Sequence, residues 1–268
     1  MATDSSWRAD GWDALVRIGV VVPHADIGPE NEISAMAPPE VSVHAGRLYF
    51  GAMRPGGLMD PKIPHDPVLA FVAPPAVDEA VELLAAAPLD AIALGFTSSA
   101  YKLGVVGERE FMDRMAERSR GIPIVATGPA AVAGLRTLRA ERLALIHPPW
   151  FDTELDEAGA RYFASHGFDL VHHGPAELPS GQRHITPQNL FDHVTSVAGG
   201  ADAVMIGGNG LRAVGIIDAL EAALGIPVLT ANQVVFWQAL YTIGAQVTVH
   251  GYGRLFSVTA PLARGSAA

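Results

Sequence analysis

The sequence predicts an α/β protein made of two similar halves, each a parallel sheet covered by helices, related by a pseudo-two-fold axis with the active site in the cleft between them. Short runs that are apolar throughout alternate with longer helical patterns, which is typical of parallel sheets covered on both faces. Two runs also share a pattern, since "DAIALGFTSS" begins at Asp90 and "DAVMIGGNG" begins at Asp202. The repeated pattern indicates an internal duplication.

The predicted strands and helices follow one another along the whole chain. The strands are expected at residues 16–23, 89–95, 122–127, 142–148, 168–173, 201–208 and 226–231. The helices are expected at residues 77–87, 130–138, 153–166, 187–198, 211–224 and 233–243, with a further helix beginning at Thr97 and Ser98. Ligands of parallel α/β sheets bind beyond the carboxyl ends of the strands, so the residues that follow each strand are the candidates for chemistry.

The duplication predicts how the chain divides between the halves. The first half is expected to contain residues 1–124 and 232–268, and the second half residues 125–231. Residues 23–67 are rich in Pro and Gly, and we interpret them as an irregular lid over one side of the cleft. A short strand at 41–43 is the one regular element expected in that lid.

Composition excludes several classes of function. The 268 residues are 49% hydrophobic and 17% charged, which is typical of a globular chain with a substantial core. A net charge of −10 without a basic cluster argues against nucleic acid as a partner. The chain has no cysteine, which excludes disulfides, thiolate zinc sites and a cysteine nucleophile. Scattered Asp and Glu show no metal-ligand spacing, so neither a metal nor a cofactor is predicted. A polar N-terminus and the lack of any run near the roughly 18 residues of a membrane span predict a cytoplasmic protein that does not enter a membrane.

Hydroxyl side chains follow the strand that ends at Gly95. Thr97 and Ser98 lie where a helix begins, and one interpretation is that they cap that helix. The other is that hydroxyls and helix amides together hold a carboxylate or an enolate oxygen. Both interpretations stay open at this point, since a cap at a strand end is also suited to hold an oxyanion.

A glycine-rich turn follows the equivalent strand of the second half. The amides of Gly208, Asn209 and Gly210 are predicted to face a small anion. The same turn contains Gly-x-Gly-x-x-Ala, a dinucleotide-binding pattern that requires an acidic residue at the end of the next strand. Residues 230–232 are Thr, Ala and Asn, which disfavours nucleotide binding.

Several side chains near strand ends are candidates for acid or base chemistry. His24 and His147 each follow a strand directly, and Tyr101 lies just beyond the hydroxyl cluster. His172 and His173 also end a strand and are weaker candidates. The alternative for each histidine is a surface residue or one whose hydrogen bonds are satisfied within the fold. The "PHAD" and "HPPW" segments at strand ends are either new catalytic parts or neutral drift.

Four segments together resemble a known family. They are "PENE", "FTSS", "ADAVMIGGNGLRAVGIIDALEAALGIPVLTANQVVFWQAL" and "GYGRLF", in this order along the chain. They resemble segments of the arylmalonate decarboxylase and maleate cis-trans isomerase branch of the aspartate/glutamate racemase superfamily. The matching family motifs are an Asn-Thr, a Cys-Thr-Ser, a Cys-Thr-Asn-Leu-Arg turn with a Ser-Asn-Gln segment, and a Gly-Tyr-Gly-Arg-Leu. The resemblance implies that Asn31 and Asn232 bind substrate.

The departures from the family pattern concern its thiol chemistry. Maleate isomerases and amino-acid racemases of this superfamily use two cysteines, which fall at Phe96 and Gly208 of this chain. Arylmalonate decarboxylases keep only the second, as a proton donor. The family's Tyr after Thr-Pro falls at Pro149 or Trp150. The residues suited to hold an anion are therefore present, and both thiols are absent.

The resemblance implies a cofactor-free lyase or isomerase that acts on a small mono- or dicarboxylic acid through an enolate-like intermediate. Decarboxylation of a malonate-type acid is the reaction that we expect, because it needs only one proton donor. Tyr101, His24 or His147 is expected to supply that proton. Phe96 is expected to add an apolar wall that desolvates a carboxylate.

Other functions remain open on the sequence. One is a hydrolase or hydratase that uses Ser98, Ser99 or a water activated by histidine, although no Gly-x-Ser-x-Gly elbow supports a serine hydrolase. Another is a maleate isomerase or racemase with new catalytic residues, and a third is a carboxylate-binding protein without activity. Assembly into a homodimer or a higher homo-oligomer is compatible with the resemblance.

Overall fold

The computed structural model describes residues 10–258, and its ten strands form two parallel four-stranded sheets and a small hairpin. The strands are β1 (Val16–Pro23), β2 (Val41–Leu48), β3 (Met53–Arg54), β4 (Leu58–Met59), β5 (Ala91–Leu94), β6 (Ile124–Ala126), β7 (Arg142–His147), β8 (Asp169–Pro175), β9 (Ala203–Ile206) and β10 (Val228–Thr230). The first sheet has the order β2-β1-β5-β6, the second has the order β10-β9-β7-β8, and β3 pairs with β4. The predicted fold class, two similar parallel α/β halves, is confirmed.

Nine α-helices of the described chain cover these sheets. They are α1 (Gly28–Met36), α2 (His65–Val72), α3 (Ala76–Leu84), α4 (Ser98–Arg118), α5 (Thr127–Thr137), α6 (Thr153–Ser165), α7 (Pro187–Val197), α8 (Ile217–Leu224) and α9 (Ala231–Thr242). Short 3-10 turns lie at Gln182–His184, Val214–Ile216 and Arg254–Ser257. The core lies between the sheets and these helices, and every residue of β5 and β9 is buried.

The predicted lid is more regular than expected. Residues 23–67 contain α1 and the eight-residue strand β2, in addition to the β3–β4 hairpin. The prolines of this region do not interrupt these elements, because Pro29 lies in the first turn of α1, where a missing N–H costs no helical hydrogen bond. The irregular part is confined to the segment between β2 and α2. The helix expected from residue 211 begins only at Ile217, after an irregular loop.

The duplication is visible in equivalent contacts of the two sheets. Asp90 precedes β5, and its Oδ2 accepts a hydrogen bond of 2.7 Å from the backbone N–H of Arg17 at the start of β1. Asp202 precedes β9, and its Oδ1 accepts one of 3.0 Å from the N–H of Arg142 at the start of β7. The repeated aspartate therefore holds the start of the neighbouring strand in both halves.

The chain passes from one sheet to the other within a few residues. β6 pairs with β5 in the first sheet, and the expected boundary between residues 124 and 125 falls inside this strand. α9 follows β10 of the second sheet directly and packs against β5 and β6 of the first. Residues 1–9 and 259–268 of the expected first half lie outside the described residues. The division of the chain into two halves stays a prediction.

Candidate active site

A central cavity opens between the carboxyl ends of the two sheets, as the strand-end rule predicts. About 500 Å³ of space, open solvent included, lies among its lining atoms. The apolar part of the lining, here called the apolar wall, consists mainly of Phe50, Met53, Phe71, Phe96, Trp150 and Phe151. The polar part of the lining consists of Asp26, Thr97, Ser98, Ser99, Gln182 and Asn209, together with Gly208 and Gly210. The cavity therefore combines a desolvating wall with hydrogen-bonding groups.

Thr97 joins the ends of β5 and β9. Its side chain is buried and makes no capping bond to α4, so the capping interpretation does not hold for this residue. The hydroxyl donates to Oδ1 of Asn209 at 2.7 Å and accepts from the backbone N–H of Gly208 at 3.2 Å. Both hydrogen bonds connect the halves across the cavity. The hydroxyl is therefore committed to positioning the glycine-rich turn.

Ser98 lies beside Thr97 and is only half-buried. Within residues 10–258, the Ser98 hydroxyl makes no hydrogen bond to another protein group, so it is available to a ligand. α4 begins at Ser98, and Gly104, with φ 63° and ψ 179°, interrupts it after its first six residues. An anion held here would depend on local O–H and N–H groups rather than on an extended helix dipole.

The turn after β9 requires glycine at two positions. Gly208 has φ +87°, and a β carbon there would collide with the ring of Pro148. A β carbon on Gly210 would lie 2.9 Å from Oδ2 of Asp26 and would also collide with the amide of Gln182. Within the described chain, the backbone N–H groups of Asn209 and Gly210 donate to no other protein group. The turn thus presents unpaired amides where no side chain fits.

A buried polar network supports this turn from behind. Asn209 Nδ2 donates to Oδ1 of Asn232 at 2.9 Å, and Asn232 Nδ2 donates to Oε2 of Glu32 at 2.8 Å. Glu32 Oε1 accepts from the N–H of Ala213 at 2.6 Å, and burial raises the pKa of this carboxyl. Asn232 does not line the cavity. Its predicted contact with substrate is replaced by a contact with the turn that lines the cavity.

Two predicted residues lie outside the cavity, on a wider neighbouring groove. Asn31 is exposed on α1. His24 packs its ring against Tyr49 with the ring centroids 5.0 Å apart, and its Nδ1 accepts a 3.1 Å hydrogen bond from the backbone N–H of Phe50. The structure therefore does not bring Asn31 or His24 to Ser98, although Asp26 between them lines the cavity.

Two more predicted residues, His147 and Tyr101, are buried near the carboxyl end of the second sheet. His147 is fully buried, and its Nδ1 lies 2.6 Å from Oδ1 of Asp156, whose Oδ2 contacts Nδ1 of His173 at 2.8 Å. The ring of Tyr101 packs against that of His147, with the centroids 5.2 Å apart. Burial lowers the pKa of His147 and raises the pKa of Tyr101. Neither side chain lines the central cavity.

Asp26 is the site residue that the sequence reasoning missed. It follows β1 by three residues, is 3% exposed, and is the only residue with an ionisable carboxyl, amine, imidazole or phenol in the described lining of the cavity. Its Oδ1 accepts a 2.7 Å hydrogen bond from the N–H of Gly28. Burial raises the pKa of Asp26, although Gly28, Gln182 and Arg47 act in the opposite direction. Its place after a strand end, in the "PHAD" segment, was the available signal.

The apolar wall is supplied by both halves and by the segment between β2 and α2. Phe96 packs edge-on against Phe71, with centroids 4.7 Å apart. Lys62 anchors the segment across the cleft, because its Nζ donates to the backbone oxygens of Pro149 at 2.8 Å and Phe151 at 2.6 Å. Trp150 is also part of this wall. It is one of the two positions to which the resemblance assigns the family tyrosine.

Residues 10–258 contain neither a metal-ligand cluster nor a membrane-spanning helix. No group of three or more His, Asp or Glu side chains in that range is arranged to hold a metal ion. None of its helices is both long enough and apolar enough to span a bilayer.

Comparisons with known proteins agree on the family. The sequence profile described as Arylmalonate decarboxylase matches residues 18–256. Maleate isomerase from Pseudomonas putida is 26% identical over 252 residues, covering 91% of this chain and 98% of the relative. Arylmalonate decarboxylase from Bordetella bronchiseptica is 26% identical over 247 residues, covering 89% of this chain and 95% of the relative.

Solved structures show the same fold. A cysteine-to-alanine variant of maleate isomerase Iso from Pseudomonas putida S16, crystallised with maleate, matches with a TM-score of 0.80 and 22% identity over 91% of this chain and 98% of that one. A crystal structure of arylmalonate decarboxylase matches with a TM-score of 0.69 and 22% identity over 90% of this chain and 99% of that one. With a profile that matches nearly the whole described chain, the protein belongs to the arylmalonate decarboxylase family, whose named relatives are decarboxylases and isomerases.

Proposed function

We propose that this protein is a cofactor-free lyase of small carboxylic acids that decarboxylates a malonate-type acid through an enolate-like intermediate. One observation carries the proposal: the lining of the central cavity combines aromatic side chains with residues whose N–H and O–H groups are unpaired. The family supports it, since one relative is named arylmalonate decarboxylase and the maleate isomerase structure holds a small dicarboxylate.

The two sides of the cavity suit the two carboxylates of such an acid. The wall formed by Phe71, Phe96 and Trp150 desolvates the carboxylate that leaves, and its product, carbon dioxide, is uncharged. The Ser98 hydroxyl and the amides of Asn209 and Gly210 hold the other carboxylate, where negative charge accumulates as the enediolate forms. Fixed donors at a developing oxyanion commonly contribute about 10²- to 10³-fold each to the rate.

The lack of cysteine favours decarboxylation over the thiol-dependent reactions of the superfamily. Covalent isomerisation needs a nucleophile, and two-base racemisation needs acid and base groups on opposite faces of the substrate. The resemblance puts the two family cysteine positions at Phe96 and Gly208, and the chain has no cysteine. Decarboxylation needs only hydrogen-bond donors for the developing oxyanion and a single proton donor, and Asp26 is the one carboxyl, with no amine, imidazole or phenol, among the described residues that line this cavity.

Hydrolysis or hydration is the less favoured alternative. Both need a base beside a serine or a water, and no histidine lies among the described lining residues of the cavity. Ser99 donates its hydroxyl to the backbone oxygen of Val68 at 3.4 Å, which leaves Ser98 as the free hydroxyl. Ser98 has no basic side chain as a hydrogen-bond partner in the described chain.

The test is incubation in heavy water with malonates, maleate, hydroxy acids and amino acids, followed by proton NMR. Loss of one carboxyl group with one deuterium incorporated is the expected result. Deuterium exchange without loss would favour an isomerase or racemase with new catalytic residues. A silent panel with line-broadening of one acid would favour a carboxylate-binding protein and would refute decarboxylation of the acids tested.

A homodimer or a higher homo-oligomer remains part of the proposal. Light scattering after size-exclusion chromatography measures the assembly, with and without a bound acid.

A further inference from the structure

We infer that Asp26 is the proton donor of this site, delivering the proton that replaces the lost carboxyl group in a chain without thiols. The inference rests on the proposed function and names the residue that completes it. Asp26 is the only residue with an ionisable carboxyl, amine, imidazole or phenol among the described residues that line the central cavity.

The carboxyl of Asp26 is held in a fixed place. Its Oδ1 accepts a 2.7 Å hydrogen bond from the N–H of Gly28, two residues further along the chain. Its Oδ2 lies 2.9 Å from the position that a β carbon of Gly210 would occupy. The second oxygen therefore lies against the turn whose amides are the proposed oxyanion donors. The proposed proton donor and the proposed oxyanion donors therefore lie next to each other in the lining of the cavity.

The glycines around Asp26 leave room for this arrangement. A β carbon on Gly28 would lie 3.0 Å from Oδ1, which is tighter than ordinary contact, and one on Gly210 would crowd Oδ2 and Gln182. Gly210 is thus needed for the close approach of the turn to the carboxyl, because any other residue would separate them. In this proposal, an enolate held by the Asn209 and Gly210 amides has its α carbon beside the Asp26 carboxyl.

Burial favours the protonated form of Asp26, and the charged groups nearby act on it in both directions. Arg47 donates from Nη1 to the backbone oxygen of Asp26 at 2.8 Å, and its Nη2 pairs with Glu30 at 2.6 Å, so Glu30 offsets much of the guanidinium charge. Burial raises the pKa of the Asp26 carboxyl more than its hydrogen bonds and Arg47 lower it. A bound dicarboxylate adds negative charge nearby, which raises this pKa further.

The step balances without any co-reactant beyond water. The bond between the α carbon and one carboxylate breaks, its electron pair stays on the α carbon as the enediolate, and carbon dioxide leaves. The O–H bond of protonated Asp26 then breaks as the new C–H bond forms on the α carbon. Asp26 is left as a carboxylate and takes its next proton from solvent.

The experiment compares the wild type with Asp26→Asn on 2-methyl-2-phenylmalonate, whose product carries a new stereocentre. Asparagine keeps the oxygen that accepts from Gly28, so folding is expected to survive, and thermal melting checks this. We expect turnover to fall by about 100-fold or more, the usual contribution of a general acid. We also expect the residual product to be nearly racemic, because solvent then protonates the enolate. The matched control Glu108→Gln changes a buried carboxyl outside this cavity, and its rate and product are expected to match the wild type.

Unchanged rate and enantiomeric excess in Asp26→Asn would overturn the assignment. A second measurement decides the case even if the wild type releases no carbon dioxide, which would refute the proposed function alone. With 13C-labelled aspartate side chains, the resonance missing in Asp26→Asn reports the titration of Asp26. A pKa above that of free aspartate, rising further when phenylacetate is added, supports the assignment. A pKa at the free value, unmoved by phenylacetate, overturns it.

Discussion

The ends of β5 and β9 are the two equivalent positions of the duplicated fold, and the segments that leave these two strands have diverged. Both strands are fully buried, and each is preceded by an aspartate that binds the N–H at the start of the neighbouring strand. After β5 come a bulky Phe96 and hydroxyl residues that enter α4 at once. After β9 comes a glycine-rich turn, and the next α-helix begins only at Ile217.

The two halves share their buried strands and differ in the residues that follow these strands into the cavity. Both strands end at one cavity. The residues after β5 add Phe96 to the apolar wall and supply a free hydroxyl, and the residues after β9 supply free amides. Thr97 ties the two ends together through Asn209 and Gly208. In the function proposed above, the duplicated frame brings the apolar wall, the hydrogen-bond donors and Asp26 to one cavity in a chain without cysteine. Four predictions test this comparison.

The largest effect is expected for Gly208→Ala. The change places a β carbon at φ +87° and drives it into the ring of Pro148, so strain and overpacking add. We expect a loss of about 2–5 kcal/mol in the free energy of unfolding, measured with urea, and loss of turnover. Gly200→Ala is the control, since Gly200 has φ +82° with no neighbour within 4 Å and suffers only the strain. Equal losses in the two variants would contradict the collision.

Thr97→Val tests the link between the two strand ends. Valine keeps the shape of the side chain but removes the donor to Asn209 and the acceptor for the Gly208 amide, so buried polar groups lose their partner. We expect unfolding free energy to fall by about 1–3 kcal/mol. Thr97→Ser retains the hydroxyl and is expected to lose much less. A serine variant as unstable as the valine variant would show that the methyl group, not the hydrogen bonds, matters.

Ser98→Ala tests the free donor after β5. The hydroxyl has no hydrogen-bond partner in the described chain, so stability is expected to stay within about 0.5 kcal/mol. We expect kcat/KM to fall by up to about 100-fold, mainly through kcat, because the donor acts on the developing oxyanion. Ser99→Ala is the matched control. The Ser99 hydroxyl donates to the backbone oxygen of Val68, so this variant is expected to lose stability rather than turnover. An unchanged kcat/KM for Ser98→Ala would show that Ser98 is not one of the oxyanion donors.

The smallest effect is expected for Lys62→Met. Its ammonium group holds the segment between β2 and α2 to the second half through two backbone oxygens. Without these two hydrogen bonds, the aromatic wall is expected to be held less firmly. We expect KM to rise by about fivefold, which corresponds to a loss of roughly 1 kcal/mol in the free energy of substrate binding. Lys102→Met is the matched control, because the chain's only other lysine pairs with Glu154 near the surface. Steady-state kinetics gives KM for both variants. A larger rise in KM for Lys102→Met than for Lys62→Met would contradict the proposed role of Lys62.

Local pattern was sufficient for the frame of this protein. Uniformly apolar runs separated by amphipathic segments specify buried parallel strands, because both faces of each strand must be covered. The repeated Asp-Ala pattern revealed the duplication, and the strand-end rule located the cavity near Thr97, Ser98 and residues 208–210. Even the absence of cysteine, read from composition alone, excluded thiol chemistry at the two family positions.

Only the tertiary structure decided which side chains reach the cavity. His24 and His147 also follow strand ends, and Asn31 lies on α1, but His24 and Asn31 line the neighbouring groove and His147 forms a buried pair with Asp156. In the sequence Asp26 is one acidic residue among many, and the structure buries it with Gly28 of α1 and Gly210 of the second half against its carboxyl. Proximity between residues nearly 200 positions apart, and the desolvation it causes, depends on how the two halves pack, which a local pattern in a single sequence does not encode.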